Sequence, residues 1–368
     1  MSRAREFADL AGSADAGGLT GRNLIINGAM QVAARGTSTS GATGSGYFST
    51  DRWQIANSSL GTWTVSKSTT APDGFSNSFK MDCTTADASP AAGDFLIFRQ
   101  HVEAQNLQHL KFGTSSAQSL TLSFWVRSNK TGTYIAELLQ PDASNRHINK
   151  AYTISSADTW EYKTITFAGD TSGVINNDNG TGFQVNWWLG AGSNFTGGTL
   201  QTSWGAVTSA NRAVGNVNLA DTISNDWYIT GVQLEVGDTA TPFEHRSFGE
   251  ELALCQRYYQ KMGPFGTSDY PFGISGYVYT ATQSALGGTL NIPMRIDSPT
   301  VSMPEGNMRI RHSGGTTPGY DISAINSVSG ALSGSVRLDV THTSTTANTV
   351  CVMTNVSSSY TLRFDAEL

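Results

Sequence analysis

The sequence predicts an all-β protein, a jelly-roll β-sandwich that one short helix joins to a second, smaller β-sandwich. Charged residues make up only 14% of the 368-residue chain, well below the usual share of roughly a quarter. Glycine (39 residues), serine, threonine and asparagine take their place, a composition typical of short strands joined by tight turns. Apolar and polar residues alternate in several segments on both sides of a single helical pattern. A chain of this length exceeds one ordinary core, so we expect two domains.

Charge and cysteine content exclude several classes of protein. The net charge is −6, whereas a surface that binds nucleic acid needs an excess of basic residues. The sequence contains neither a basic cluster for an anionic membrane nor an apolar stretch long enough to span one. Cys83, Cys255 and Cys351 cannot all pair and form no Cys-x-x-Cys motif, so we expect buried, reduced thiols.

The first predicted domain, residues 23–246, contains the clearest strands. Ser119–Arg127 and Gly182–Gly190 alternate with a period of two, as half-buried strands do. Trp160–Phe167 and Trp227–Val236 are two further predicted strands. The residues predicted to face the core are Leu120, Leu122, Phe124 and Val126 in the first of these segments, and Phe183, Val185, Trp187 and Leu189 in the second.

Tryptophan content and local polarity suggest the domain boundaries. All eight tryptophans lie between Trp53 and Trp227, which places a boundary near residue 247. Trp53 is expected to be a core anchor, and residues 263–368 to form the second domain. Residues 1–22 are small and polar and lack the apolar core of a signal peptide. They are expected to be either a disordered terminus or an attachment segment that orders on docking to a larger particle.

A capped helix is predicted between the two domains, from Ser247 to about Met262. Ser247 and Glu250 have the spacing of a capping box. Apolar residues then recur at intervals of four and three, which indicates a seam two heptads long. The residues of this seam are Phe248, Leu252, Cys255, Tyr259 and Met262. The seam is expected either to pack on its own domain or to form a symmetric bundle at an oligomer axis.

The second domain is expected to be a small sandwich, because short alternating segments recur between prolines and glycines. The predicted strands are Gly273–Thr280, Thr289–Ile296, Met308–Arg311, Gly334–Val340, Thr349–Thr354 and Tyr360–Ala366. No repeat of fixed period is present in the sequence, which argues against a β-helix.

Two tryptophans on the outward faces of predicted strands are candidates for sugar binding. A sugar ring has flat apolar C–H faces bordered by hydroxyls, so its site needs an exposed aromatic ring beside amides, hydroxyls or arginine. Trp125 with Ser123 and Arg127 fits this requirement, and Trp188 with Gln184 and Asn186 fits it in the same way. The alternative is that loops or a neighbouring subunit cover both rings.

Metal sites and catalytic motifs have little support in the sequence. Its six histidines show no metal-ligand spacing, and the oxygen-rich loop 176–180 offers one carboxylate only. Nucleophile-elbow, phosphate-loop and dinucleotide-binding motifs are absent from the sequence. Carboxylate pairs such as Glu235 and Glu244 have nothing that distinguishes them as a glycosidase pair. We therefore predict no cofactor, no metal and no enzymatic activity.

The two ends of the first domain resemble segments of a known family. Residues 23–31 read Asn-Leu-Ile-Ile-Asn-Gly-Ala-Met-Gln, an apolar predicted strand with an Asn-Gly turn signal. Residues 231–260 contain Gly-Val-Gln-Leu-Glu-Val-Gly and then Thr-Pro-Phe-Glu-His-Arg-Ser-Phe. Both resemble segments that open and close a jelly roll similar to carbohydrate-binding modules in tail-fibre and other virion surface-fibre proteins of tailed, mainly marine, bacteriophages. The resemblance is specific at both ends and weak between them and after residue 262.

This resemblance implies a homotrimeric receptor-binding protein that holds polysaccharide on the host surface without catalysis. Residues 1–22 would attach to phage tail or head proteins, helices 247–262 would meet near the three-fold axis, and either domain would contact the receptor. The protein would fold in the host cytoplasm and leave by lysis as part of the virion. Jelly rolls of this kind often hold a structural calcium near the first and last strands, but the corresponding positions are Gln31 and Gly231.

Two other functions remain open at this point. The chain is alternatively a monomeric carbohydrate-binding module or a purely structural decoration of the phage head or tail. The first alternative predicts that Trp125 and Trp188 are exposed. The second predicts that both are buried.

Overall fold

The computed structural model describes residues 21–263, 271–304, 308–312, 319–343, 349–355, 357 and 359–368. It contains two compact units, one that reaches to Glu251 and one that comprises Leu252–Glu367. The predicted attachment segment, residues 1–22, lies outside the described residues except for its last two positions.

The first unit consists of two antiparallel sheets of six strands each. Its strands are β1 (Ser38–Ala42), β2 (Gln54–Ser58), β3 (Thr62–Ser68), β4 (Ser78–Thr85), β5 (Phe95–Glu103), β6 (Leu120–Ser128), β7 (Gly132–Gln140), β8 (Arg146–Ile154), β9 (Glu161–Phe167), β10 (Thr181–Ala191), β11 (Gly205–Ala206) and β12 (Asp226–Val236). Sheet A has the order β1-β3-β4-β12-β6-β9, and sheet B has the order β11-β8-β7-β10-β5-β2. The connections contain the short helix α1 (Ser193–Thr196) and 3₁₀ turns at Ala104–Leu110, Ser209–Asn211 and Leu219–Asp221.

The core of the first unit lies between the two sheets, and it confirms the predicted jelly-roll sandwich. All eight residues predicted to face inward from β6 and β10 are buried in it. Trp53 is fully buried, as expected of a core anchor. Its ring stacks on Phe98 at a centroid distance of 4.6 Å, and its Nε1 donates to the carbonyl oxygen of Asn27 at 3.0 Å. An alternation of period two in the sequence thus identified the faces of both strands correctly.

The opening segment, residues 23–31, is not the strand that its apolar residues predict. Asn27 and Met30 have φ angles of 59° and 56°, in the left-handed region that interrupts a strand. The amide of Met30 donates to the carbonyl of Asn27 at 3.1 Å and closes a turn. Gly28 approaches β12 so closely that a Cβ there would lie 2.2 Å from the carbonyl oxygen of Val232. The backbone N–H and C=O groups of the segment therefore form individual hydrogen bonds and not the regular hydrogen-bond ladder of a strand.

The opening segment is fastened to the closing segment of the same unit. We call this arrangement the clasp, formed by residues 21–28 and 231–251. The Asn23 side chain donates to the Val232 carbonyl at 3.1 Å and accepts from the Leu234 amide at 3.1 Å. The Leu24 amide donates to the Leu234 carbonyl at 2.9 Å. One buried amide side chain thus joins positions that are more than 200 residues apart in sequence.

Charged groups complete the clasp. The Glu244 carboxylate accepts from the Asn23 amide at 2.7 Å, and Glu251 accepts from the Asn27 amide at 2.5 Å. Arg246 lies between these two carboxylates, 3.7 Å from Glu244 and 3.5 Å from Glu251. Its guanidinium also donates to the Ile25 carbonyl at 3.0 Å. The charges of the closing segment therefore hold the backbone of the opening segment, as charge-assisted hydrogen bonds do.

The second unit is built on a closed barrel and not on the small sandwich that the sequence predicted. Its strands are β13 (Tyr259–Met262), β14 (Pro271–Thr280), β15 (Gln283–Thr289), β16 (Thr300–Ser302), β17 (Arg309–His312), β18 (Tyr320–Ser329), β19 (Ser335–His342), β20 (Thr349–Thr354) and β21 (Leu362–Asp365). The barrel has the order β14-β15-β19-β18-β17-β20, and β13-β21-β16 form a separate sheet.

Two differences from the predicted strands of this unit have local causes. The strand predicted over Thr289–Ile296 is absent beyond Thr289, where β15 ends. The amides of Leu290 and Met294 instead donate to the carbonyl oxygens of Gly334 and Ala331 in a turn, both at 2.9 Å. Strand β18 was not predicted, because two register shifts interrupt its pairing with β19 and mask its alternation.

The predicted helix begins as expected but is shorter. Helix α2 occupies Phe248–Gln256, and Ser247 Oγ accepts from the Glu250 amide at 3.3 Å, which confirms the capping box. The prediction of a helix to about Met262 is wrong, because the chain pairs there as β13 with β21. The five residues of the predicted seam therefore do not share one helical face, and Phe248 is 58% exposed. Among the described residues, no helix is long and apolar enough to cross a membrane.

We expect Asn23→Ala to destabilise the first unit by roughly 1–3 kcal/mol, because it leaves buried groups of β12 without partners. Thermal unfolding followed by tryptophan fluorescence is the appropriate measurement, since all eight tryptophans lie in this unit. Asp238→Ala, at an exposed position of the same closing segment, is the matched control and should change stability little. Equal melting temperatures for the two variants would contradict the clasp.

Candidate functional site

A row of aromatic side chains lies on the outer face of sheet A, in which Tyr162 is the most exposed ring and Tyr228 is buried. Strands β12, β6 and β9 are neighbours there, and Trp125 on β6 pairs with Thr230 on one side and Tyr162 on the other. In the next row, Arg127 pairs with Tyr228. The outward side chains of three strands therefore form one continuous surface.

The rings of this surface form an aromatic platform, which we define as Trp125, Trp160, Tyr162 and Tyr228. The Trp125 and Tyr162 rings lie 5.3 Å apart at an angle of 48°. The Trp160 and Tyr228 rings are in edge contact at 6.1 Å. Tyr162 is 45% exposed, and both tryptophans are half-buried. The platform is thus fixed by ring contacts while part of its area faces solvent.

Cationic groups border the platform and fix Tyr228. The guanidinium of Arg127 lies 4.9 Å from the centroid of the Tyr228 ring, and the ammonium of Lys80 lies 5.6 Å from it. Arg127 is held in place by Asp158, to whose carboxylate it donates at 2.7 Å and to whose carbonyl it donates at 3.0 Å. Burial raises the pKa of Tyr228, with the nearby Asp226 carboxylate adding to the effect, so its phenol remains neutral at physiological pH.

The structure brings together only part of the first predicted sugar-binding set. Trp125 lies on the platform and Arg127 borders it, both on the outward face of β6 that the alternation predicted, but Ser123 is only 2% exposed between Thr164 and Gln233 of the neighbouring strands. Trp160 and Tyr162 were not among the predicted site residues. Alternation from Trp160 through β9 was the available signal, since it places both on one face with Thr164.

The second predicted set is not an open site. Trp188 and Asn186 face outward from sheet B, as the alternation predicted, yet both are 0% exposed. The segment 192–213 covers them: the Phe195 ring lies 5.3 Å from the Trp188 ring, and the Arg212 guanidinium lies 4.9 Å from it. Gln184 is half-buried and accepts from Arg99 at 3.3 Å. Of the two alternatives left open for Trp188, the structure therefore shows the covered ring, because a distant segment folds over its strand.

A buried carboxylate holds that covering segment in place. Glu137 is fully buried, and its carboxylate accepts hydrogen bonds from both Nε and Nη2 of Arg212 at 2.7 Å. It also accepts from Asn186 at 2.8 Å and from Trp188 Nε1 at 3.2 Å, and His147 Nδ1 lies 3.1 Å away. Burial by itself would raise the pKa of Glu137, but the charge and hydrogen bonds of Arg212, with those of His147 and Asn186, outweigh it and lower the pKa to about 2.

The positions that correspond to a calcium site in resembling jelly rolls do not fit that ion. Gly231 has no side chain, and its φ of +61° serves the bulge of β12. The carbonyl oxygen of Gln31 accepts from the ammonium of Lys67 at 2.9 Å, so a positively charged side chain already lies where a calcium ion would bind. Within the described part of the chain, no group of three His, Cys, Asp or Glu residues is placed to hold a metal.

Comparisons with known proteins give structural likenesses only. No family model matches the chain, and no curated protein matches it. A putative sugar-binding protein from Bacteroides thetaiotaomicron is similar at 14% identity, with 58% of this chain and 100% of that chain covered and a TM-score of 0.33. The enzymatically active domain of tailspike protein 4 from bacteriophage CBA120 is similar at 14% identity and a TM-score of 0.32. The match covers 59% of this chain but only 22% of that chain.

A third similar structure is a family 22 carbohydrate-binding module of Clostridium thermocellum Xyn10B. Its identity is 13%, the match covers 56% of this chain and 99% of that chain, and the TM-score is 0.30. At these values the likeness does not extend to individual site residues.

We expect Glu137→Gln to destabilise the first unit by roughly 3–5 kcal/mol at pH 7, because Arg212 loses its carboxylate partner. The folded-state pKa of Glu137, about 2, lies below its ordinary value of 4.5. Its stabilising contribution is therefore present above pH 4.5 and is lost as the pH falls toward 2.

Urea unfolding monitored by tryptophan fluorescence should show the wild-type and Glu137→Gln curves converging over that pH range. Asp158→Asn, which removes a carboxylate that is 57% exposed, is the control and should cost less than about 1 kcal/mol at any pH. A stability difference between wild type and Glu137→Gln that stays constant from pH 7 to 2 would contradict the assignment.

Proposed function

We propose that the first unit binds polysaccharide on the aromatic platform of sheet A. The observation that carries this proposal is the contact of Trp125 with the exposed Tyr162 ring on an open strand surface. Exposed aromatic area matches the C–H faces of a pyranose ring, while Arg127 and Thr164 offer polar groups at its border. An open, shallow platform suits an internal stretch of a chain better than a small buried molecule.

We propose further that the protein is a fibre or receptor-binding protein of a tailed phage virion, that it is a homotrimer, and that it attaches the particle to host-surface glycan. Support comes from the opening and closing segments, whose resemblance to virion fibre proteins covers the residues that form the clasp. Three linked copies of a weak site raise avidity by roughly 10²–10⁴ without new contacts. Residues 1–22 are the proposed attachment to phage tail or head proteins.

The proposed activity is binding without catalysis. Glu235 and Glu244, the carboxylate pair that the sequence offered, both have structural partners. Glu235 accepts from the amide and the hydroxyl of Thr241 at 2.9 Å and 2.6 Å, and Glu244 belongs to the clasp. Carboxylates that accept hydrogen bonds from the protein's own backbone and side chains are poorly placed to flank a glycosidic bond.

We expect Trp125→Ala to weaken binding to soluble polysaccharides about tenfold, which corresponds to roughly 1.4 kcal/mol of lost stacking. Affinity electrophoresis through gels that contain glucans, xylans, mannans or bacterial capsular polysaccharides measures the effect. The melting temperature of this variant should stay close to that of the wild type, because the ring is only partly buried and lies outside the core.

Two control variants make this measurement specific. Tyr279→Ala removes a tyrosine that is 40% exposed on the second unit, and it should leave binding unchanged. Trp188→Ala should instead lose roughly 3–5 kcal/mol of stability, as truncation of a buried tryptophan does. If Tyr279→Ala abolishes binding and Trp125→Ala does not, the receptor contact lies in the second unit and the platform is not the site.

Light scattering after size exclusion tests the proposed oligomer. The fibre proposal predicts a mass near three times 39.2 kDa for the purified chain. A mass near 39.2 kDa would favour the monomeric carbohydrate-binding module, whose platform predictions are the same.

A further inference from the structure

A pocket separate from the platform opens at one edge of the first unit. It has a volume of about 270 Å³. Three elements surround it: β8, the turn after β9 and the segment before β11. The residues that give it chemical character are Arg146, Lys150, Asp170 and Trp204, with the hydroxyls of Ser172 and Thr202 at the rim.

Trp204 provides a rigid wall for this pocket. Its Nε1 donates to the carbonyl oxygen of Ala168 at 2.6 Å. Its ring stacks on Phe183 at 6.2 Å with an angle of 18°, and it meets Phe112 edge-on at 5.7 Å. The ring is half-buried, so one part packs on the core and another part remains available to the pocket.

The charges of the pocket do not cancel. Arg146 and Asp170 form a bidentate pair, with Nε–Oδ2 at 2.6 Å and Nη2–Oδ1 at 3.0 Å. Lys150 is the second cation, and no carboxylate in the described part of the chain lies within salt-bridge distance of it. Two cations and one carboxylate leave one positive charge beside an aromatic wall.

The Arg146–Asp170 pair is a fixed part of the wall and not a free binding group. Asp170 is 1% exposed and also accepts from the Ser172 amide at 3.0 Å. Burial raises the pKa of Asp170, but hydrogen bonds from Arg146 and from the amides of Ser172 and Gly173 outweigh this, so the pKa is lowered and the carboxylate stays ionised. The charge left for a ligand is therefore that of Lys150.

We propose that this pocket binds a single sugar residue that carries a carboxylate, such as a hexuronate unit of an acidic polysaccharide. The ring would lie against Trp204, its carboxylate would pair with Lys150, and its hydroxyls would meet Ser172 and Thr202. The volume is slightly below the usual range of about 300–1,000 Å³ for small-molecule sites, which suits one ring and not an oligosaccharide. The choice of a sugar rests on the proposed function, whereas the charge requirement rests on Lys150.

Titration of the full-length protein with sodium glucuronate and sodium galacturonate, followed by saturation-transfer NMR, tests the proposal. Glucose and galactose are the neutral comparators, sodium acetate tests the carboxylate alone, and glucose 6-sulfate tests another anion. We expect binding of a hexuronate, at least tenfold weaker binding of the other probes, and weaker hexuronate binding as salt is raised.

Lys150→Met keeps the aliphatic stem and removes the charge, and it should weaken hexuronate binding at least tenfold. Lys111→Met, at an exposed position outside the pocket, is the matched control and should have no effect. Equal affinity for glucose and glucuronate, tighter binding of the sulfate ester, or an unchanged affinity of Lys150→Met would overturn the proposal.

The same variants separate this inference from the proposed function. If the platform binds polysaccharide but no uronate binds the pocket, retention in polysaccharide gels falls with Trp125→Ala and the inference alone fails. If hexuronate binds and depends on Lys150 while no polysaccharide is retained, the pocket stands and the platform proposal fails.

Discussion

The fold of the first unit depends on hydrogen bonds between its two ends. The clasp joins residues 21–28 to residues 231–251, so almost the entire sandwich is a loop that these contacts close. The entropy cost of closing a loop grows only slowly with its length, so these contacts can close a loop of this size. They must also be specific, because they select one register for β12. Asn23 supplies that specificity, because its single side chain both donates to and accepts from the backbone of β12. Strand β12 lies between β4 and β6 in sheet A, and it carries Tyr228. Its position therefore sets the position of the platform.

The two outer faces of the sandwich carry similar residues but differ in burial. Each carries a tryptophan beside polar residues on a strand whose other face is apolar. On sheet B, Arg212 reaches Glu137 across 75 positions of sequence and brings the segment 192–213 over Trp188. On sheet A, Arg127 pairs with Asp158, only 31 positions away, and its guanidinium lies over the Tyr228 ring, while the Tyr162 ring stays 45% exposed. Arg212 and Glu137 thus hold the segment that buries the sheet B face, whereas Arg127 covers one ring of the sheet A face and leaves Tyr162 exposed.

Features set by local pattern could be predicted from the sequence, and features set by distant partners could not. The inward faces of β6 and β10, the burial of Trp53 and the capping box at Ser247 follow from alternation and spacing within a few residues. The opening segment is as apolar as a strand, but its backbone groups bond to side chains such as Glu251 that no local pattern reveals. Helix α2 ends early because Tyr259–Met262 pairs with β21, roughly a hundred positions further along the chain. The predicted sugar-binding set around Trp188 is covered for the same reason, because a segment distant in sequence folds over its strand. Trp125 stayed open only because no segment covers it among the described residues.

Strand β9 links the two binding sites proposed for the first unit. It is one of the two edge strands of sheet A. Tyr162 lies near its start, and the turn that lines the pocket follows its end at Phe167. From Tyr162 to Ala168 an extended strand covers about 20 Å, at roughly 3.3 Å for each residue. A polysaccharide that follows this edge would contact the platform through neutral ring faces and the pocket through one acidic unit. Because the two contacts are linked in one ligand, their affinities would combine within a single protomer before any oligomer contributes. Neutral polymers would then gain only the first contact, so the positive charge of Lys150 would determine selectivity while the platform would provide most of the contact area.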